Sequence, residues 1–218
     1  KRYSAAVGGQ RSVVGSQPAK SRKATMTERD IEFKVFRYKQ GQAEPSFQTF
    51  TVRCNEDTTV LVALQDIRRD QDGTLILRHS CHHASCGTCG MRINGREELG
   101  CVVKVFDLGT STVTVEPMRN MPVISDLVVD MVPFYDRFNS AGMPLIRESE
   151  FMDEAEVAEG LEAYLRCENC IECNLCVSAC PIAGSDPTYL GPAALAAAWR
   201  VIEEPRGLDQ KPLLDWVD

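Results

Sequence analysis

Ten cysteines in 218 residues, eight of them in two tight groups, are where this sequence could do chemistry. Cys81, Cys86 and Cys89 stand as C-x4-C-x2-C, and Cys101 follows after eleven residues. Three thiolates on one loop and a fourth from farther along are the plant-type spacing for a 2Fe–2S cluster. The second group, "CIECNLCVSACP" from Cys170 to Pro181, reads C-x2-C-x2-C-x3-C-P. In that bacterial-type run the first three cysteines converge on one 4Fe–4S cube, and the fourth ligates a different cluster. Cys170, Cys173 and Cys176 therefore need a further ligand, and Cys180 needs companions of its own.

Other chemistries fit these spacings less well. Four thiolates also make a structural zinc site, but zinc ribbons favour two C-x2-C pairs and the first group has one, Cys86/Cys89. A Rieske centre needs two Cys–His pairs, and the three histidines, His79, His82 and His83, supply one at most. His82 and His83 read as loop residues that shield the site. A disulfide framework would want a secretory signal and dispersed cysteines, and neither is present. Gly87 and Gly90 are expected to let the backbone curl with its N–H groups toward sulfur. Cys54, alone on an expected strand, reads as a packing residue. Cys167, one x2 step ahead of the second group, reads as an ordinary thiol, with a substitute ligand as the alternative.

The flanking patterns suggest what positions these groups. "DIEFKVFRYK" alternates Ile31, Phe33 and Val35, "QTFTVRC" alternates Phe50 and Val52, and "QGQAEP" between them makes a hairpin. "TTVLVALQDIRRD" places Val60, Leu61, Leu64 and Ile67 on one helical face, capped by Thr58 or Thr59. "TLILRHS" reads as a strand leading to Cys81. "GMRING" ends at an Asn–Gly turn, and "STVTVEPM" closes the unit as a strand. Beyond it, "SDLVVDMVPFYDRF" sets Leu127, Met131, Phe134 and Phe138 at helical spacing, with Pro133 expected to kink the helix. "MDEAEVAEGLEAYLRC" and "GPAALAAAWRVIEE" read as two more helices, the latter with Pro192 at its first position.

Composition agrees with a globular protein, at 44% apolar and 25% charged residues. No apolar run approaches the roughly 20 residues of a membrane span. Residues 1–29 carry seven Lys/Arg against Glu28 alone, although the whole chain is −7. A basic, acid-poor head before an acidic body reads as a mitochondrial transit peptide or its remnant. The plainer alternative is a flexible basic arm. A nucleic-acid partner is not expected, because the acidic body would repel phosphate.

Taken together, the two groups resemble the iron–sulfur subunit of succinate dehydrogenases and fumarate reductases, the respiratory complex II family. The likeness runs from about Ile31 to Arg206 and includes "CGTCGMRING", "VEPMRNMPVISDLVVDM" and "YLGPAALAAAWR". "IAGSDPTYLGP" after Cys180-Pro181 lacks a tryptophan pair, which looks closer to bacterial fumarate reductases. The resemblance implies an α+β chain in which an N-terminal β-grasp plant-type ferredoxin domain, 30–120, precedes an α-helical bacterial-type ferredoxin domain, 121–218. The leader 1–29 would stand outside both. Cys81, Cys86, Cys89 and Cys101 would hold the 2Fe–2S cluster. Cys170, Cys173 and Cys176 would give three 4Fe–4S ligands, and Cys180 would give one ligand of a 3Fe–4S cluster.

Electrons would then pass singly between a flavoprotein subunit carrying FAD and a membrane quinone. Carbon chemistry would belong to the flavin partner, and no catalytic acid or base is expected on this chain. Pro181 and Ile182 are positional candidates for the quinone side. The family's second cysteine run does not follow "LLDWVD", so the helical domain is expected to be incomplete, its remaining ligands coming from a separate chain or a further segment. Membrane-anchor subunits are expected, at the matrix side of the mitochondrial inner membrane or the cytoplasmic face of a bacterial one. Two other functions are a fumarate reductase drawing on a thiol donor and a zinc-stabilised interaction module.

Overall fold

A computed structural model describes residues 27–143, 169–186, 188–203 and 214–215. Strands β1 (Arg29–Arg37) and β2 (Ser46–Cys54) form the expected antiparallel hairpin, with Ile31 facing Val52 and Phe33 facing Phe50. Their alternation drives it: Ile31, Phe33, Val35, Phe50, Val52 and Cys54 are all buried, with exposed residues between them on most of the ladder. Helix α1 (Val60–Asp70) buries Val60, Leu61, Ala63, Leu64 and Ile67. Of the two candidate caps Thr59 serves, its hydroxyl accepting from the Val62 N–H at 3.3 Å. β3 (Gly90–Ile93) and β4 (Arg96–Leu99) make a hairpin around Asn94 and Gly95, both at positive φ. β5 (Thr112–Glu116) runs parallel to β1, giving a five-stranded mixed sheet in the order β2-β1-β5-β3-β4. The result is a mixed α/β architecture.

Two expectations fail here for physical reasons. "TLILRHS" is no strand, although Leu75 and Leu77 are buried and Ile76 is exposed. The segment is held by single hydrogen bonds, from the Ile76 N–H to Asp126 Oδ2 at 2.9 Å and from the Leu127 N–H to the Ile76 carbonyl at 3.2 Å. Alternation reported its half-buried state, but no ladder partner lies beside it. The helix expected across "SDLVVDMVPFYDRF" is instead a two-stranded hairpin, β6 (Val123–Ser125) and β7 (Val128–Val129), followed by α2 (Val132–Ser140). Pro133 lies in the first turn of α2, where its missing N–H costs nothing, and so begins the helix rather than kinking it.

After the second cysteine group come α3 (Leu175–Ala179), α4 (Pro181–Ser185) and α5 (Pro192–Ile202), the last starting at Pro192 as expected. α5 turns Ala193, Ala194, Ala197 and Ala198 inward, and these small side chains let it lie close against α2. Phe134 and Phe138 fill the space between them in a core distinct from that of the sheet. The helix expected over "MDEAEVAEGLEAYLRC", most of the basic head, Cys167 and Trp216 lie outside the described residues. No helix among the described residues is long and apolar enough to cross a membrane.

Candidate iron–sulfur sites

The first cysteine group is assembled by the sheet and by α1. Cys89 immediately precedes β3, and Cys101 follows β4 by one residue, so the Asn–Gly turn folds the fourth cysteine back onto the third. The Gly100 N–H donates to the Cys89 carbonyl at 3.0 Å and fixes that approach. The first N–H groups of a helix have no partner within it. In α1 those of Val60 and Leu61 donate to the carbonyls of Val103 and Gly100, both at 2.9 Å, and so pin the turn bearing Cys101. Cys89 and Cys101 are buried, whereas Cys81 and Cys86 are half-buried at the loop's outer side.

The loop from Cys81 to Cys86 turns backbone N–H groups onto sulfur. Cys81 Sγ accepts from Ser85 at 3.2 Å, Cys86 at 3.3 Å and His83 at 3.5 Å. Cys86 Sγ accepts from Cys81 at 3.4 Å, and Cys101 Sγ from Ala84 at 3.3 Å. Positive φ at His82 and Ala84 bends the chain inward to do so. Cys86 Sγ also lies 3.1 Å from the Thr88 hydroxyl. That hydrogen bond first, then backbone N–H groups, hold the Cys86 thiol down at about 6, while burial pushes Cys89 up to about 11. Sulfurs cradled by N–H donors suit thiolates carrying the charge of an iron–sulfur cluster, and such donors tune its potential. Among the described residues no group of three or more His, Cys, Asp or Glu is arranged around a single metal ion.

The two glycines have a task beyond the expected curling of the loop. Gly90 donates its N–H to the Gly87 carbonyl at 3.2 Å, not to sulfur. Gly87, at φ +69°, lies so close to the second group that a Cβ there would meet Cys173 Cα and Cβ at 2.8 Å and the Ile171 carbonyl at 2.9 Å. A Cβ on Gly90 would lie 3.2 Å from the Cys173 carbonyl. The glycines thus let the two cysteine loops touch. His82 and His83 are exposed, His83 Nδ1 against the Cys81 carbonyl and His79 Nδ1 3.2 Å from His82 Nε2.

The second group curls around Cys173, with Glu172 and Asn174 both at positive φ. Cys170 and Cys176 are exposed, and Cys173 and Cys180 are intermediate. Partial desolvation first, then the nearby Cys173 and Cys170, raise the Cys176 thiol above its ordinary value, so those two thiols lie within electrostatic reach of it. Cys180 caps the end of α3 and the start of α4, on the far side of that helix. Pro181 and the half-exposed Ile182 follow it at the surface, and Trp199 is exposed on α5. The group is tied to the sheet-bearing part of the chain through Ser178, which accepts the Arg119 N–H at 2.8 Å beside Glu97. Arg119 pairs with that same Glu97 at 3.0 Å. Sequence reading missed Thr88, although a hydroxyl between two ligands in "CGTC" was a usable signal. Ser178 and Glu97 gave none, because only folding brings them together.

The description "2Fe-2S iron-sulfur cluster binding domain" matches residues 32–136. A fumarate reductase iron–sulfur subunit of Mycobacterium tuberculosis is 40% identical over 179 residues, covering 78% of this chain and 71% of the relative. A mitochondrial succinate dehydrogenase [ubiquinone] iron–sulfur subunit of Dictyostelium discoideum is 34% identical over 199 residues, covering 84% and 68%. The chain belongs to this iron–sulfur subunit family. Its role is accordingly electron transfer as part of a succinate dehydrogenase or fumarate reductase, and iron–sulfur clusters, rather than zinc, are its metal centres. Among solved structures, a chain of the Mycobacterium smegmatis Sdh1 complex in the apo form matches with a TM-score of 0.73. It covers 87% of this chain and 81% of that one at 24% identity, a likeness of fold.

Proposed function

We propose that this subunit carries single electrons through a row of three centres. Cys81, Cys86, Cys89 and Cys101 would hold a 2Fe–2S cluster, Cys170, Cys173 and Cys176 three corners of a 4Fe–4S cluster, and Cys180 one iron of a 3Fe–4S cluster. When bound, these centres would split a flavin's two-electron chemistry into single-electron steps. The observation that carries this reading is the contact of Gly87 with Cys173, which brings the loop of the first group against a cysteine of the second. Electron transfer falls steeply with distance, so touching ligand loops favour a relay over two independent sites.

The chain's own residues do the rest. Cys89 and Cys101 are shielded from water, the loop N–H groups support charge on sulfur, and Arg119, Glu97 and Ser178 hold the second group in place. The N-terminal unit, 30–120, would face a flavoprotein subunit with FAD. The unit 121–218 would face membrane-anchor subunits and a quinone near Pro181 and Ile182. A separate chain or a further segment would supply the fourth 4Fe–4S ligand and two 3Fe–4S ligands. Mitochondrial and bacterial relatives both support a membrane-associated complex; the basic head, 1–29, favours the mitochondrial inner membrane, matrix side. The lack of tryptophan beside Cys180-Pro181 keeps a thiol donor in place of a quinol as the second reading.

The test is an iron and zinc count on the native assembly, with electron paramagnetic resonance of its oxidised and reduced forms. About nine irons per chain, with signals of all three cluster types, are expected. About two irons with a 2Fe–2S signal alone would end the relay at its first step.

A further inference from the structure

Asn120 belongs to neither cysteine group, yet its amide reaches the end of the second. Its Nδ2 donates to the carbonyls of Val177 at 2.8 Å and Cys180 at 2.9 Å, with that of Ser178 at 3.3 Å. These carbonyls belong to the last turn of α3 and its cap, where a helix leaves acceptors short of partners of its own. The Cys180 N–H meanwhile donates to the Val177 carbonyl at 3.2 Å. Both peptide planes of Cys180 are thereby held, one by α3 and the other by Asn120. Pro181 narrows the choice further, since a residue before proline is confined to extended backbone, and Cys180 has φ −74° and ψ 121°. The chain then folds back over the amide: a Cβ on Gly184 would lie 2.6 Å from Asn120 Oδ1. Asn120 itself sits at φ +64°, a conformation that asparagine tolerates better than most side chains.

We propose that Asn120 is the positioning residue of Cys180: by gripping the Cys180 carbonyl it sets the direction of the Sγ that enters the distal centre. The inference rests on Cys180 being a cluster ligand, as in the proposed function. It is specific to the second group, because the thiols of the first are held by their own loop.

The test is a potentiometric titration followed by electron paramagnetic resonance on the assembled complex, comparing the parent with Asn120→Gly and Asn120→Asp. Glycine keeps the positive φ and removes the donor. Aspartate keeps the shape but presents an acceptor to three carbonyls. Both variants are expected to shift the line shape and midpoint potential of the Cys180 centre, aspartate more, while the 2Fe–2S signal stays as in the parent. A lower melting temperature in Asn120→Gly with every signal and potential unchanged would overturn the inference and leave Asn120 a purely structural tie. If Asn120→Asp fails to assemble, Asn120→Gly alone decides. A parent complex without any signal beyond 2Fe–2S would overturn the underlying reading, and the inference with it.

Discussion

Asp126 is fully buried and joins three segments: its carboxylate accepts from Arg37 Nε at 3.2 Å, the Tyr38 N–H at 3.0 Å and the Ile76 N–H at 2.9 Å. Arg37 also meets Asp72 at 2.7 Å, and hydrogen bonds from Thr74 and Arg37 hold the Asp72 carboxyl well below the carboxylate range. Because this folded value is depressed, the contribution of Asp72 is complete above about pH 4 and fades as pH falls toward the folded value. Asp126→Asn keeps the backbone conformation but sets a weaker acceptor against Arg37, and should cost about 2–3 kcal/mol in denaturant unfolding. The exposed pair Arg53–Glu28 is the control: Arg53→Ala should leave the denaturant midpoint close to that of the parent. Cys54, with no exposed surface, has its thiol pushed up to about 11 by burial. It should resist alkylation in the folded protein at neutral pH, and Cys54→Ala should leave the iron content unchanged at a cost of about 1 kcal/mol. Rapid labelling of Cys54, read by peptide mass spectrometry, would contradict its place in the core.

The elements act as a frame that brings distant cysteines together. The β3–β4 hairpin returns Cys101 to Cys89, and α1 uses its unpaired N–H groups to hold that return in place. The two cysteine loops meet in close contact at Gly87. Gly87→Ala would put a methyl group 2.8 Å from Cys173 at a positive φ, combining backbone strain of about 1–2 kcal/mol with a clash against backbone that cannot yield cheaply. The variant is expected to melt earlier and to lose second-group iron before first-group iron, followed by iron content and electron paramagnetic resonance during mild heating. Full retention of both centres would show that the loops part without consequence. At this scale the sequence was legible wherever a pattern had a ladder or a cap to act on, as with β1, β2, α1, the Asn–Gly turn and Pro192. It misled where the pattern had two meanings. The spacing of Leu127, Met131 and Phe134 suits one helix, yet Leu127 joins the sheet core, whereas Met131 and Phe134 join the other.

Across the whole molecule, two cores of unequal independence support the two cysteine groups. The sheet core is closed by long apolar side chains, Phe33, Leu61, Leu64 and Ile67 among them, and needs no metal to exclude water. The second core is made of short helices and alanines around Phe134 and Phe138, and the cysteine run beside it adds Val177 to that core while leaving Cys170 and Cys176 exposed. Removing iron by chelation should therefore leave amide protection high in β1, β2, β5 and α1, and lower it first across 169–186, as read by hydrogen exchange. Equal loss in both regions would mean that the clusters, not the apolar packing, hold the sheet.

By itself the sequence determined the family and pointed to its thiol-rich loops, because thiol spacing and apolar alternation are local and survive without coordinates. It also determined that Cys54 packs rather than binds, since an isolated thiol on an alternating strand has nowhere else to point. Only the tertiary structure decided how the groups meet. The clearance at Gly87, the tie of Arg119 and Glu97 to Ser178, and the grip of Asn120 on Cys180 join residues about 60 to 90 positions apart. No period or motif encodes such contacts. They depend on where two cores, each folded by its own apolar pattern, come to rest against one another.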